Sequence, residues 1–252
     1  MNISFDNVHK FGKILFETQL FKHYHFPDML NYYSENFVAF KQMPSIHEFE
    51  STSSYLREFH KKNGQNHLMF ILPENKSLNH EFQKYLNLNE YDYSYNELYF
   101  IQPEDFPKFT KNPDIVVENV KSETMDTFLQ LQFNIDLKFG VDFAKGKQAI
   151  YKTNFNNKNW KQVIAYYKGI PAGTLDLIIS DTTVEIDNFV VLEHFQRRGI
   201  GTHMQKYVME QFPNHVVILV AEGEGTARKM YIKQNYKCVG YQYEILKIMD
   251  DF

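Results

Sequence analysis

The chain has 252 residues, 43% of them hydrophobic and 23% charged, with a formal net charge of −4. That balance excludes a disordered chain and leaves no basic excess for nucleic acid, so any phosphate-bearing ligand must be gripped by a local basic patch. One cysteine, Cys238, rules out an internal disulfide, and the sequence shows neither a signal-peptide core nor an apolar run near the ~20 residues that cross a bilayer. A cytoplasmic protein without membrane or nucleic-acid partners is expected.

Tyr (17) and Phe (23) far outnumber the lone Trp160, and they crowd residues 21–40 and 85–109. They serve either to pack a core poor in Ala and Leu or to line a ligand or partner surface, a homodimer face included. Helical spacing runs from 45 to 62 through Ile46, Phe49, Tyr55, Leu56 and Phe59 and stops at Asn63-Gly64. His67–Leu72 reads as a buried strand, Leu78–Leu86 as a helix and Tyr93–Ile101 as a strand. Pro103, Pro107 and Pro113 then mark a boundary, giving a smaller α/β domain over 1–110 and a second domain over 111–252.

The second domain opens with a strand at 115–120, followed by helices near 123–139 and 142–154. Strands at 161–167 and 172–179 flank the tight-turn composition Lys168-Gly169-Ile170-Pro171, and a third strand covers 183–192. A helix from about Arg198 to Phe212 carries the stripe Ile200, Met204, Tyr207, Val208 and Phe212. The apolar run 216–221 is a central strand, a short helix covers 226–233, and strand material fills 237–248.

The informative segment is the strand-turn-helix ending in Gln196-Arg197-Arg198-Gly199-Ile200-Gly201-Thr202. A helix start has unpaired N–H groups and a partial positive charge, which attract phosphate oxygens. Gly199 and Gly201 remove the Cβ from that approach, Arg197, Arg198 and Lys206 add charge, and no acidic residue interrupts 196–206. A dinucleotide fingerprint needs a third glycine where Met204 stands, Gly223-Glu224-Gly225 fails likewise at Arg228, and no phosphate-loop motif of nucleotidases exists. Alternatively the turn is a packed helix start with a solvated arginine pair.

The pattern Q/R-x-x-G-x-G/A after an apolar strand resembles the coenzyme-binding motif of the GNAT superfamily of acetyltransferases. The resemblance spans about 113–248 and is reinforced by Ala227-Arg228-Lys229-Met230-Tyr231 through Asn235-Tyr236, which is similar to the family's A-x-x-x-Y-x-x-x-G-F ending. It implies an α/β (α+β) fold with a mixed, mostly antiparallel sheet flanked by helices, the acyl-CoA N-acyltransferase fold. It also implies acetyl-CoA as co-substrate, its pantetheine arm meeting backbone groups of Val190, Val191 and Leu192. The full binding set is then Val190, Val191, Leu192, Gln196, Arg197, Arg198, Gly199, Ile200, Gly201, Thr202 and Arg228. Asn235 stands in for the family's glycine, and Glu224 falls where the family often has a coenzyme-contacting Asn.

Acetyl transfer to a small amine or peptide amine must first remove a proton. At pH 7 an amine of pKa near 10.4 is almost wholly protonated, a penalty of roughly 4.6 kcal/mol. The family match makes Tyr231 the candidate acid for the leaving thiolate. Glu185 and Asp187 share a strand face, and Glu185, eleven residues before Gln196, takes the place of the catalytic glutamate in the histone-acetyltransferase branch. It acts either as base or as a surface or substrate-binding carboxylate. No metal is expected, since His23-x-His25 lacks further ligands. The first half has no glycine turn of its own and reads as a degenerate copy of the same fold. Besides an enzyme, the sequence admits a non-catalytic acyl-CoA sensor or, against its acidic charge, a tRNA-dependent aminoacyl transferase.

Overall fold

The computed structural model describes residues 3–225 and 227–249. In chain order the first half holds β1 (Lys13–Glu17), β2 (Phe21–His25), β3 (Phe37–Phe40), α1 (Ile46–Lys62), β4 (His67–Ile71), α2 (His80–Leu88) and β5 (Asp92–Ile101). The second holds β6 (Ile115–Asn119), α3 (Met125–Asp136), α4 (Val141–Phe155), β7 (Trp160–Tyr167), β8 (Ile170–Ile179), β9 (Thr183–Val191), α5 (Ile200–Gln211), β10 (Val216–Glu222), α6 (Ala227–Lys233) and β11 (Lys237–Ile248). Local chemistry sets the boundaries. Ser45 and Glu48 form a reciprocal capping box at α1, and Asn79 caps α2 through the Phe82 N–H. The helix expected from Arg198 begins two residues later, because Gly199 sits at φ 84° as its N-cap.

All strands join one sheet of order β1-β2-β3-β4-β11-β5-β10-β9-β8-β7-β6. Only β3/β4 and β9/β10 pair in parallel, so the sheet is mixed and mostly antiparallel. The order is nearly palindromic about β11 and β5. In each half a parallel pair brackets a helix (α1 or α5), and a shorter helix (α2 or α6) leads to a last strand. That last strand leaves its own half: β5 lies between β10 and β11, and β11 lies between β4 and β5. The halves are thus stitched by an exchange of terminal strands.

Alternation along the strands defines two faces. One carries Phe70 and Leu72 with Ile245 under α1 and α2, and Val184, Ile186, Val217 and Leu219 under α5. Tyr93 and Tyr99, of equal parity on β5, belong to those two cores, which places all four helices on the same side. The other face carries α3 and α4 over Ile164, and the chain's first residues, Ile3 and Phe5, over Leu98 and Ile218. Among the described residues no helix is long and apolar enough to cross a membrane.

Candidate active site

The site begins with a break in the sheet. Parallel pairing of β9 with β10 ends at Ile186↔Leu219, yet the strands run on to Val191 and Glu222, so a gap opens between them. A bulge coincides with the gap: four residues on β9, from Asp187 to Val190, oppose three on β8, from Asp176 to Thr174. Asn188 adopts φ 46° there and donates from Nδ2 to Asp176 Oδ2 at 2.8 Å. The extra residue shifts the alternation by one. Val184 and Ile186 therefore share the helical face with Phe189 and Val191, while Glu185 and Asp187 point to the opposite face.

On the helical face the gap opens into a cavity of about 540 Å³ bounded by Phe189 and Val191 of β9, the turn before α5, and Ala227, Met230 and Tyr231 of α6. That is ample for part of a coenzyme. Arg197 at φ 60° and Gly199 at φ 84° fold the turn so that the head of α5 faces this space. The N–H groups of Gly199, Ile200, Gly201 and Thr202 have no acceptor among the described residues. Gln196, Arg197, Gly199, Ile200, Gly201 and Thr202 all line the cavity, as do Val191 and Tyr231.

The remaining expected contacts fall outside it. Val190 faces the other way. The Leu192 N–H is bonded to Ala172 O at 2.9 Å and its carbonyl accepts from Phe195 at 2.8 Å, which leaves that backbone little to offer a pantetheine arm. Arg198 lies over the Tyr167 ring at 5.2 Å, and the Arg228 guanidinium pairs with the buried Glu97 at 3.4 Å. Gly201 also has a second role, since a Cβ there would lie 3.3 Å from the Phe189 ring. Tyr231 is buried beside the rings of Tyr99 and Tyr236, and desolvation pushes its hydroxyl up to about 12.

On the opposite face a second cavity, about 480 Å³, spreads across the sheet from β9 to β2. Glu185 and Asp187 project into it, and Val220 of β10 borders it where the strands part. Glu185 is 7% exposed, and burial raises its carboxyl to about 8 despite the His9 N–H bonded to Oε2 at 2.8 Å. Glu35, from the turn before β3, also lines this cavity, and burial raises it to about 7. Phe11 and Gly12 donate to its Oε2 at 2.7 and 3.1 Å. Below them the buried Asp176 rises to about 7, chiefly through desolvation. Glu35 and residues 5–12 were not signalled by the sequence, for this segment reaches the site only through the contact of His9 with Glu185, 176 residues further along the chain. Among the described residues no group of three metal-ligating side chains stands together.

A sheet split between two neighbouring parallel strands, with a helix head at the split, defines the acyltransferase fold expected above. Residues 131–236 match the model of the acetyltransferase (GNAT) family, and residues 3–99 match a domain of unknown function (DUF5613). The acetyltransferase match lies within the C-terminal half, where the sequence resemblance to the family was read. No curated protein matches the chain. Among solved structures it is similar to a functionally unknown conserved protein from Staphylococcus epidermidis ATCC 12228, at 28% identity, TM-score 0.91 and 98% coverage of both chains. Its fold is also similar to a GCN5-related N-acetyltransferase from Kribbella flavida, at 13% identity and TM-score 0.63 over 94% of this chain and 89% of that one. A tandem GNAT protein from the clavulanic acid biosynthesis pathway shares the fold at 9% identity and TM-score 0.53, over 85% and 76% of the two chains.

Proposed function

We propose that the protein is an N-acetyltransferase that moves an acetyl group from acetyl-CoA to a primary amine by direct attack. The observation that carries this reading is the β9/β10 gap, which borders a helix-head cavity on one face of the sheet and a carboxylate-bearing cavity on the other. In this reading the unpaired N–H groups of Gly199–Thr202 and the Arg197 side chain hold the coenzyme diphosphate. The thioester reaches through the gap toward an amine on the Glu185 side.

Burial of Glu185 supports a role as base. A carboxylate of ordinary pKa is a poor acceptor of an ammonium proton, whereas one raised to about 8 is far better matched and still partly ionised near neutrality. Asp187 and Glu35 would offset the charge of the incoming ammonium. Tyr231 would return a proton to the thiolate, and its hydroxyl at about 12 makes it a weak donor until the thiolate lies beside it. That same weakness favours the second reading, a non-catalytic acyl-CoA sensor.

The test is thiol release from acetyl-CoA across a panel of amines, peptides and polyamines. Turnover is expected with a kcat/KM that rises through about pH 8 as Glu185 ionises, and a loss of about a hundredfold in Glu185→Gln. Tight coenzyme binding with no turnover on any amine would leave the sensor reading.

A further inference from the structure

The acceptor-side cavity already contains an amine that belongs to the chain. Residues 5–12 run across it, anchored on Glu185 by the His9 N–H and on Glu35 by the N–H groups of Phe11 and Gly12. Gly12 is required in that anchor, because a Cβ there would collide with the Glu35 backbone carbonyl. Between the two anchors lies Lys10, half-buried, its Nζ 3.3 Å from the carbonyls of both Phe5 and Val8.

Three features suit this lysine to reaction rather than to surface solvation. It lines the same cavity as Asp187 and Val220, the residues at the mouth of the β9/β10 gap. Burial draws its ammonium below the usual lysine range, and the carboxylates of Asp6, Glu185 and Glu35 act on it through space, without a direct ion pair to any of them among the described residues. Finally, a neutral amine has two N–H bonds and one lone pair. The Phe5 and Val8 carbonyls can accept both N–H bonds and leave the pair free to attack.

We propose that Lys10 is an acetyl acceptor of the protein's own transferase site, modified on Nζ within the same chain by the thioester presented through the β9/β10 gap. The inference rests on the N-acetyltransferase reading. Glu185 takes one proton from the ammonium by way of intervening solvent and releases it to bulk. The amine lone pair forms the N–C bond to the thioester carbonyl, and the intermediate collapses with cleavage of the C–S bond. Nitrogen loses its second proton and the departing thiolate gains one, so the products are an acetamide on Lys10, free coenzyme thiol and one proton. The cationic charge between Glu185 and Glu35 is lost, which leaves that end of the cavity more acidic toward later cationic acceptors.

The experiment uses the full chain and acetyl-CoA carrying a deuterated acetyl group, with peptide mass spectrometry after timed quenching. Label is expected on Lys10 about a hundredfold faster than on the exposed Lys61 and Lys62, the smaller end of what a positioned base supplies. The rate constant should not change with protein concentration, and Lys10→Arg should remove that label alone. Unlabelled acetate already present on Lys10 in the purified protein would also support the proposal. Labelling of Lys10 no faster than of Lys61 and Lys62, or a rate that rises with protein concentration, would overturn it. Calorimetry with acetyl-CoA and turnover on added amines separate the two failures. Binding and turnover with Lys10 unmodified would sink only this inference, and absence of coenzyme binding would sink the transferase reading with it.

Discussion

Gly201 illustrates how one residue answers to two constraints. In the proposed function its missing Cβ leaves the head of α5 open to the coenzyme diphosphate, and the same absence lets α5 settle against Phe189 on the bulged strand. A valine there must push the ring into the cavity. Overpacking of this kind costs roughly 1–3 kcal/mol, so Gly201→Val is expected to weaken acetyl-CoA binding by about ten- to a hundredfold, read by calorimetric titration. An unchanged affinity would detach the turn from coenzyme binding. The glycine turn was legible in the sequence because glycine and arginine spacing is a local signal. The bulge at Asn188 was not, though asparagine at positive φ is its trace, since only the pairing with β8 shows the extra residue. For the same reason Glu185 and Asp187 could be assigned to one face, but the phase change beyond them could not.

At the scale of elements, the packing of α1 on β2 and β4 has an unusual polar content. His23, His60 and His67 are fully buried, and burial lowers their imidazoles to about 4, 4 and 3. His23 meets the Tyr55 hydroxyl at 2.9 Å, and His67 Nε2 meets Asn36 O at 2.9 Å, while His23 Nε2, His60 Nε2 and His67 Nδ1 have no partner among the described residues. Because the folded pKa values lie below the unfolded one near 6.5, the unfolded state binds more protons between about pH 3–4 and 6.5. Stability from these groups is therefore complete above 6.5 and is lost as pH falls toward 4.

Glu35, Glu185 and Asp176 act in the opposite sense. Their folded values are raised, so the native state holds the extra protons and stability declines as pH climbs from about 4 through 7–8. Hydrogen exchange between pH 6.5 and 4.5 should show protection of α1 and β4 falling while that of β8 and β9 rises. Uniform change across the sheet would refute the assignment. Most of these elements were readable from apolar periodicity and caps. The β1–β2 hairpin was not, because β1 is exposed along its whole length and has no buried face to impose a period.

For the whole molecule, the sequence break near residue 110 does not coincide with a break in the sheet. Strand β5 precedes the break yet pairs with β10 and β11, and β11, the last strand, pairs with β4 and β5. A fragment of residues 111–252 keeps the GNAT motifs but loses both neighbours of β11 and one of β10. It is expected to lack a cooperative transition in urea and to bind ANS, whereas the full chain unfolds in a single step. A cooperatively folded fragment would show that the exchange is dispensable. The resemblance that revealed the second half could not reveal this, because pairing partners across the break leave no local mark.

The exchange also sets a timetable for synthesis. The first half leaves the ribosome with a place between β4 and β5 that only residues 237–248 fill, so it waits for that strand with β4 unpaired on one edge and β5 on both. Such contacts of high sequence separation make folding slow and late. They also make the completed last strand a single lock on both halves, so that translation halted before it yields a nascent protein open to chaperones and proteases rather than a half-active one.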